Sequence, residues 1–316
     1  MDRLLTVSSS PHIGTAESTR KIMLTVIIAL LAPTAAALIL YGTSALISIC
    51  VCVVASVLSE FLFNLATKKE QTIGDLSAVV TGMILSLNLH ASVPIWQTAM
   101  GAVFAIVVVK CLFGGLGSNF ANPAAAARVF LTLSFTASVA GGVTPNIRGY
   151  SELVGGATPL ERLANGIEMP PVSDMLLGLR AGALGEGCII AILIGFVILV
   201  IRGVINFEIP IIFVGTVFVF SLIADNSFMS ALYQILSGGL IFGSVFMATD
   251  YSSTPKNRNG RRLFAFGCGT LTFLIRRFGN YPEGVSFAIL FMNIISPYIE
   301  KLTANVALGA IKNERK

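Results

Sequence analysis

The chain has 316 residues, of which 55% are apolar and only 12% are charged, and its mean hydropathy is +0.84. Soluble domains carry about 25% charged residues, so this composition excludes an ordinary soluble enzyme and a disordered chain. The net charge of +5 comes from basic residues placed between apolar runs rather than clustered on one face. That placement argues against nucleic-acid binding and is typical of membrane topology signals.

Ten apolar runs follow one another, and most are long enough for a membrane-spanning helix of about 20 residues. Apolar and polar residues do not alternate along them as in membrane β-barrels, so we expect an all-α polytopic membrane protein of about ten helices. The third and fifth runs are short and interrupted, which predicts broken or tilted helices. The runs fall at about 22–42, 44–66, 76–92, 95–113, 123–140, 184–201, 208–225, 231–250, 263–278 and 284–300.

The basic residues predict an orientation. With the N-terminus inside, 16 of the 21 Lys and Arg residues, including Lys110 and Arg128, lie at inside ends, and five lie at outside ends. The positive-inside rule therefore places both termini in the cytoplasm and the long polar stretch 141–183 outside. We divide the chain into a first transmembrane half, 1–140, this extracytoplasmic loop, 141–183, and a second transmembrane half, 184–316.

The two halves resemble each other at a shift of 161 residues, which aligns Gly82 with Gly243 and Asn119 with Asn280. Because the shift covers five predicted helices, the second copy would be inverted, as in many transporters whose sites lie near the repeat interface. Chance matching of glycine-rich apolar segments is the open alternative.

No metal site and no catalytic side chain are predicted. The five cysteines are scattered through apolar segments without a Cys-x-x-Cys pair, and two histidines are too few for a haem or zinc site. The loop 141–183 contains Gly155, Gly156, Ala157 and Thr158, followed by proline. The glycine pair permits positive φ and close backbone approach, so the segment could present one hydroxyl to a modifying enzyme, or form an ordinary surface turn.

This Gly-Ala-Thr segment and four further stretches together resemble the RnfD/NqrB family, integral-membrane subunits of ion-pumping redox complexes, and resemble the RnfD branch most. The further stretches are residues 5–13 (LTVSSSPHI), 114–123 (GGLGSNFANP) with 128–131 (RVFL), 246–250 (FMATD) running to Pro255, and 281–284 (YPEG) with 287–291 (FAILF). The resemblance covers essentially the whole chain in the same order.

The resemblance implies an FMN attached through its phosphate to Thr158. The family motif has Asp where this chain has Glu152, and Ser or Thr where it has Gly155. It also implies a second, non-covalent flavin such as riboflavin, and a place in the bacterial inner membrane. The partners would be other Rnf-type subunits, including a second FMN-carrying subunit and iron–sulfur subunits. The implied role is electron relay in a ferredoxin:NAD+ oxidoreductase that moves Na+ or H+. A small-solute channel or secondary transporter is the alternative.

Charges inside apolar runs are costly and mark candidate functional sites. Asp250 ends the eighth run, where with Thr249, Asn119 and Asn122 it could form an ion path, or it could pair with a basic residue at 261 or 262. Glu60, Lys110 and Arg128 also lie within runs. Arg276 and Arg277 lie at a predicted outside end, where they could neutralise the FMN phosphate or a partner's acidic surface, or extend from a helix end to the membrane surface.

Overall fold

The computed structural model describes residues 18–145, 155–279 and 283–304. The stretches 5–13 and 281–282 and the Glu152 position lie outside these ranges. In the described ranges the chain is an all-α polytopic membrane protein with one small two-stranded sheet.

Each of the ten predicted runs holds one helix or a pair of short helices, so the run pattern is confirmed. The main helices are α1 (Thr19–Tyr41), α2 (Thr43–Ala66), α3 (Ser77–Leu87), α4 (Ile95–Cys111), α5 (Pro123–Ser134), α6 (Thr136–Val139), α7 (Pro159–Ala164), α8 (Val172–Leu177), α9 (Ile189–Ile201), α10 (Glu208–Asp225), α11 (Phe228–Leu236), α12 (Leu240–Phe246), α13 (Arg258–Phe278) and α14 (Val285–Leu302). The last part of α4, Phe104–Cys111, follows π-helical hydrogen bonding.

Four described helices, α1, α2, α10 and α14, are long and apolar enough to cross a membrane. The pair α11 and α12, bent by 53°, forms a fifth candidate span. The break falls at Gly238, whose φ of +63° suits glycine because no Cβ collides with the backbone. The eighth run is therefore the sharply broken one, which the sequence did not reveal. The third run forms the 11-residue α3, shorter than its apolar stretch.

The asparagine before α5 explains where that helix begins. The Asn122 side-chain oxygen accepts hydrogen bonds from the backbone N–H groups of Ala124 (3.0 Å) and Ala125 (3.1 Å), and Pro123 occupies the first helical position. Proline loses nothing there because that N–H has no partner within the helix. Helix α5 therefore begins where the fifth predicted run begins, at residue 123.

The helix bounds follow the internal repeat. Shifting α1 to α5 by 161 residues places each helical unit on α9, α10, α12, α13 and α14 in order. Two of the matched pairs also pack on each other, α1 on α9 and α5 on α14. Contacts between equivalent elements are typical of a two-fold relation. The inversion of the second copy stays a prediction.

The loop 141–183 forms a small folded unit. Strand β1 (Gly142–Val143) pairs with β2 (Gly155–Gly156), followed by α7 and α8. Val143 also bridges to Gly182. Neither glycine of β2 has positive φ. The two glycines are strand partners of Val143 and Gly142, so the positive φ that the pair permits is not used.

Two basic residues counted as inside ends are not loop charges. Lys110 is buried, and its Nζ lies 2.8 Å from Glu60 Oε1 and 2.5 Å from Ser77 Oγ. Arg128 lies in the middle of α5 and is also buried. Both charges are held by polar partners inside the protein rather than by water, and the orientation toward which they were counted stays a prediction.

Candidate functional site

Thr158 begins α7, and its hydroxyl oxygen acts as a helix cap. Oγ1 accepts from the Glu161 N–H at 3.3 Å, while the Glu161 carboxylate accepts from the Thr158 N–H at 2.7 Å. This reciprocal arrangement is a capping box. It uses the Thr158 oxygen only as an acceptor, so the hydroxyl hydrogen is not needed for the cap. The side chain is half-buried.

Glycine backbone packs directly against this threonine. A Cβ placed on Gly142 would lie 2.6 Å from the Gly182 nitrogen and 2.9 Å from Thr158 Cγ2. The predicted neighbours of the acceptor behave differently: a Cβ on Gly155 would meet nothing within 4 Å, and Ala157 is exposed. Within the predicted glycine pair the close approach is at Gly156, where a Cβ would lie 3.1 Å from Thr144 Cγ2, and a still closer one is at Gly142, which the sequence did not single out.

Three cavities surround the start of α7. A cavity of about 40 Å³ is lined by Thr158, Glu161, Arg128 and Glu283. A larger one of about 560 Å³ lies beside α7, between Glu161 and the two arginines at 276 and 277. A third, of about 380 Å³, is lined by residues on either side of the threonine. Thr158 itself lines the narrow charged cavity, and its neighbours along the chain line the two wide ones.

The two predicted arginines differ in what they bind. Arg276 donates to the backbone oxygens of Gln234 (2.6 Å), Ser237 (3.1 Å) and Glu283 (3.2 Å), so it ties the end of α11 to the loop before α14. At most one of its five N–H groups remains for another partner, since a second Nη1 contact reaches the Gln234 side chain. Arg277 is exposed and donates to Asp225 at 3.2 Å. Arg277 therefore has more N–H groups available for another partner than Arg276 has.

A cluster of charged residues lies beside Thr158, with Arg128, Arg180 and Glu186 buried and Glu283 partly buried, and most of it could not be predicted from the sequence. Arg128 Nη2 lies 2.9 Å from Glu283 Oε2, and the Glu283 carboxyl contacts that of Glu186. Arg180 donates from Nη2 to the backbone oxygen of Glu186 at 3.1 Å. Glu186 and Arg180 stand in the loop before α9, where nothing in the sequence distinguishes them from surface charges. Glu283 does belong to the recognised YPEG stretch.

The four residues predicted as an ion path line one cavity. Asp250, Thr249, Asn119 and Asn122 all border a space of about 90 Å³, enough for several water molecules, together with Lys110. Asn122 Nδ2 donates to the Met247 oxygen at 3.1 Å. The side-chain oxygen of Asn119 is buried without a hydrogen-bond partner within the described ranges. An unused buried oxygen of this kind is costly unless something else binds it.

The Asp250 carboxylate is held by hydroxyl groups and not by an arginine. It accepts from the Ser252 N–H (3.2 Å), Ser252 Oγ (2.9 Å) and Ser253 Oγ (3.1 Å). Arg262 is instead bound to Glu208, with Nε 2.8 Å from Oε2. The alternative of an ion pair between Asp250 and a residue at 261 or 262 is therefore wrong for the described residues.

The chain is similar to known membrane proteins over almost its whole length. The model of the NQR2, RnfD, RnfE family matches residues 6–309. The chain is 42% identical to a subunit of the Na+-translocating ferredoxin:NAD+ oxidoreductase complex of Acetobacterium woodii, over 99% of this chain and 98% of the relative. It is 34% identical to a subunit of the proton-translocating ferredoxin:NAD+ oxidoreductase complex of Clostridium ljungdahlii, over 97% and 96%, and 32% identical to a subunit of the ion-translocating oxidoreductase complex of Cronobacter sakazakii, over 94% and 97%.

Proposed function

Because the chain belongs to the NQR2, RnfD, RnfE family, we propose that it is the membrane-embedded electron-transfer subunit of an ion-translocating complex linking ferredoxin and NAD+. The match spans nearly the full length of this chain and of its RnfD relatives, so the predicted RnfD branch is confirmed. The ferredoxin, iron–sulfur and NAD sites then lie on partner subunits, one of which carries a second FMN. The protein is placed in the bacterial inner membrane with both termini cytoplasmic.

The observation that carries the flavin assignment is Thr158 with its cavities. We place FMN on the Thr158 hydroxyl, as a phosphoester. Esterification replaces the hydroxyl hydrogen, which the capping box does not use, so α7 keeps its first turn. The neighbouring cavity of about 560 Å³ falls in the range of about 300–1,000 Å³ that holds ligands of this size. When bound, FMN would supply one- and two-electron redox chemistry.

The charges around the hydroxyl fit a phosphate. Arg128 lines the narrow cavity with Thr158, and its Nη1 has no partner within the described ranges. Arg277 borders the wide cavity with an exposed guanidinium. Arginine binds phosphate with two N–H groups in one plane, so an unused donor near the ester is favourable. Glu161 and Glu283 border the same narrow cavity and oppose a phosphate there, and Glu283 already accepts one hydrogen bond from Arg128, so the unused Nη1 of Arg128 is the donor on which this fit depends.

Two variants of Thr158 distinguish its hydroxyl as the attachment point for FMN from its oxygen as a helix cap. In the purified, denatured full-length chain, we expect ultraviolet-excited yellow fluorescence that stays with the protein band. Thr158→Ala and Thr158→Asn should both abolish it. Asparagine is a good helix cap without an esterifiable hydroxyl, so that variant keeps α7 stable, whereas alanine costs about 1 kcal/mol. Fluorescence that persists in both variants would rule out Thr158 as the attachment site.

We also place an ion path at the Asp250 cavity. Hard cations prefer oxygen ligands, and three residues with side-chain oxygens, Asp250, Asn119 and Thr249, line one space. The hydroxyl groups that hold Asp250 leave its charge unneutralised, unlike an arginine partner. Na+ and H+ are both compatible with this donor set.

A channel or secondary transporter is the alternative function, and the broken pair α11 and α12 suits it. A transporter would carry no covalent flavin, so the fluorescence test separates the two functions.

The orientation has its own test. In a cysteine-free background, a cysteine at the exposed Asn165 should react with an impermeant thiol reagent in intact spheroplasts, and one at the exposed Asn259 only after lysis. The reverse pattern would overturn the proposed topology.

A further inference from the structure

Two carboxyl groups meet inside the cluster beside Thr158. The side chains of Glu186 and Glu283 are in hydrogen-bonding contact with each other. Glu283 is simultaneously paired with Arg128 at 2.9 Å. No role in holding the flavin is proposed for Glu186 or Glu283, so a function of this pair does not depend on the flavin.

Glu186 is tightly enclosed. The residue is 4% exposed, and it lies in the loop that precedes α9. A Cβ placed on Gly239 would lie 3.0 Å from Glu186 Oε1, and one on Gly182 would lie 3.5 Å from Oε2. Glycine backbone therefore approaches this carboxyl from two sides, and water has little access to it.

The contact between the two carboxyls requires a shared proton. A carboxylate can only accept hydrogen bonds, so two ionised carboxyls repel one another, and one must carry a proton to donate to the other. A metal cation is a poor substitute here. The guanidinium groups of Arg128, Arg180 and Arg276 surround the pair, and their positive charges would repel it.

We propose that Glu186 and Glu283 form a binding site for a single proton, in which Glu186 carries the proton and donates its O–H to the Glu283 carboxylate. Arg128 fixes the negative partner, so the proton resides on Glu186 rather than on Glu283. The site is reversible, because buried donors stand ready for the ionised form: Arg180 Nε and Nη1 have no partner within the described ranges.

Burial and the arginines act on the pair in opposite directions, and burial prevails at Glu186 whereas Arg128 prevails at Glu283. Burial, followed by the charge of Glu283, raises the pKa of Glu186 to about 8. Burial opposes ionisation of Glu283 as well, but the charge and hydrogen bond of Arg128 lower its pKa below the ordinary value. The titratable and charged groups that face the pair come from the helices and loops around it: Tyr41, His90, Arg128, Arg180 and Arg276.

Infrared difference spectroscopy of the full-length chain across a pH titration tests this proton site. The parent should show a carbonyl stretch of a protonated carboxyl that shifts in D2O and disappears with a midpoint near pH 8, set by the raised pKa of Glu186. Glu186→Gln should remove the band while its amide N–H keeps the contact to Glu283. Glu283→Gln should lower the midpoint by about one unit or more, because Arg128 then has no other carboxylate to bind.

Glu208→Gln is the matched control. Glu208 is a carboxylate paired with two arginines, Arg258 and Arg262, away from the cluster, and its loss should leave the band unchanged. The proposal would be overturned if the parent showed no protonated-carboxyl band at pH values below about 8, or if that band persisted in Glu186→Gln. The parent spectrum alone shows whether the proton is present, so the proposal is decided even where the Gln variant fails to fold.

Discussion

The two ends of α12 hold buried polar groups in opposite ways. Before α12, at Gly239, lies the charge cluster of the Thr158 site, where arginines fix carboxyl groups and backbone carbonyls. After α12 lies Asp250, whose carboxylate is held by serine hydroxyls beside a cavity of about 90 Å³. Guanidinium groups supply fixed positive charge, which suits a phosphate and a shared proton. Oxygen donors around an uncompensated carboxylate suit a mobile cation.

If arginines hold the polar groups that lie before α12, replacing Arg276 should cause the largest loss of folding stability. Arg276→Ala removes donors to three backbone oxygens at the α11–α12 break and leaves those oxygens unsatisfied. We expect a loss of about 3 kcal/mol in stability, visible as a lower melting temperature of the solubilised chain. Arg277→Ala, which removes one exposed pair, should cost less than about 1 kcal/mol. Equal losses would show that Arg276 does not clamp the break.

A smaller effect is expected from the backbone packing at Thr158. Gly142→Ala places a methyl group 2.6 Å from the Gly182 nitrogen and should cost about 1–3 kcal/mol and reduce covalent flavin per chain. Gly155→Ala, on the paired strand, meets open space and should change stability by less than about 0.5 kcal/mol. A Gly142→Ala variant as stable as the parent would contradict rigid packing at this end.

Folding stability should change least after α12, where hydroxyl groups hold the Asp250 carboxylate. Asp250→Asn keeps one oxygen and the shape of the side chain but removes the charge, so the fold and electron transfer should persist. In reconstituted vesicles, the cation concentration for half-maximal pumping should rise about tenfold, equivalent to about 1.4 kcal/mol. Unchanged pumping per electron would exclude Asp250 from the coupling path, and Asn119→Ala offers an independent check on the same cavity.

Much of the fold could be predicted because apolar runs report directly on helices in a membrane. All ten runs hold helices, and the Asn-Pro start of α5 was readable from capping chemistry. The break at Gly238 was hidden because its apolar run continues across it.

The candidate sites, like the fold, could be predicted only in part from the sequence. Thr158 and the Asp250 cavity were predicted from motif and from charge within apolar runs, since both are local in sequence. The Glu186–Glu283 contact was not, because it joins loops nearly one hundred residues apart through three arginines from different elements. The partner of Arg128 was hidden for the same reason, because Glu283 comes from the other half of the chain.

Covalent FMN on Thr158 can be detected by mass spectrometry of the tryptic peptide 149–162, GYSELVGGATPLER. In chain purified from its native membrane, we expect this peptide to carry the mass of an FMN phosphoester, with fragment ions that place it on Thr158. The same peptide contains one other hydroxyl side chain of similar chemistry, Ser151, as an internal comparison. An unmodified peptide alone, or fragments that place the added mass on Ser151, would contradict FMN attachment at Thr158.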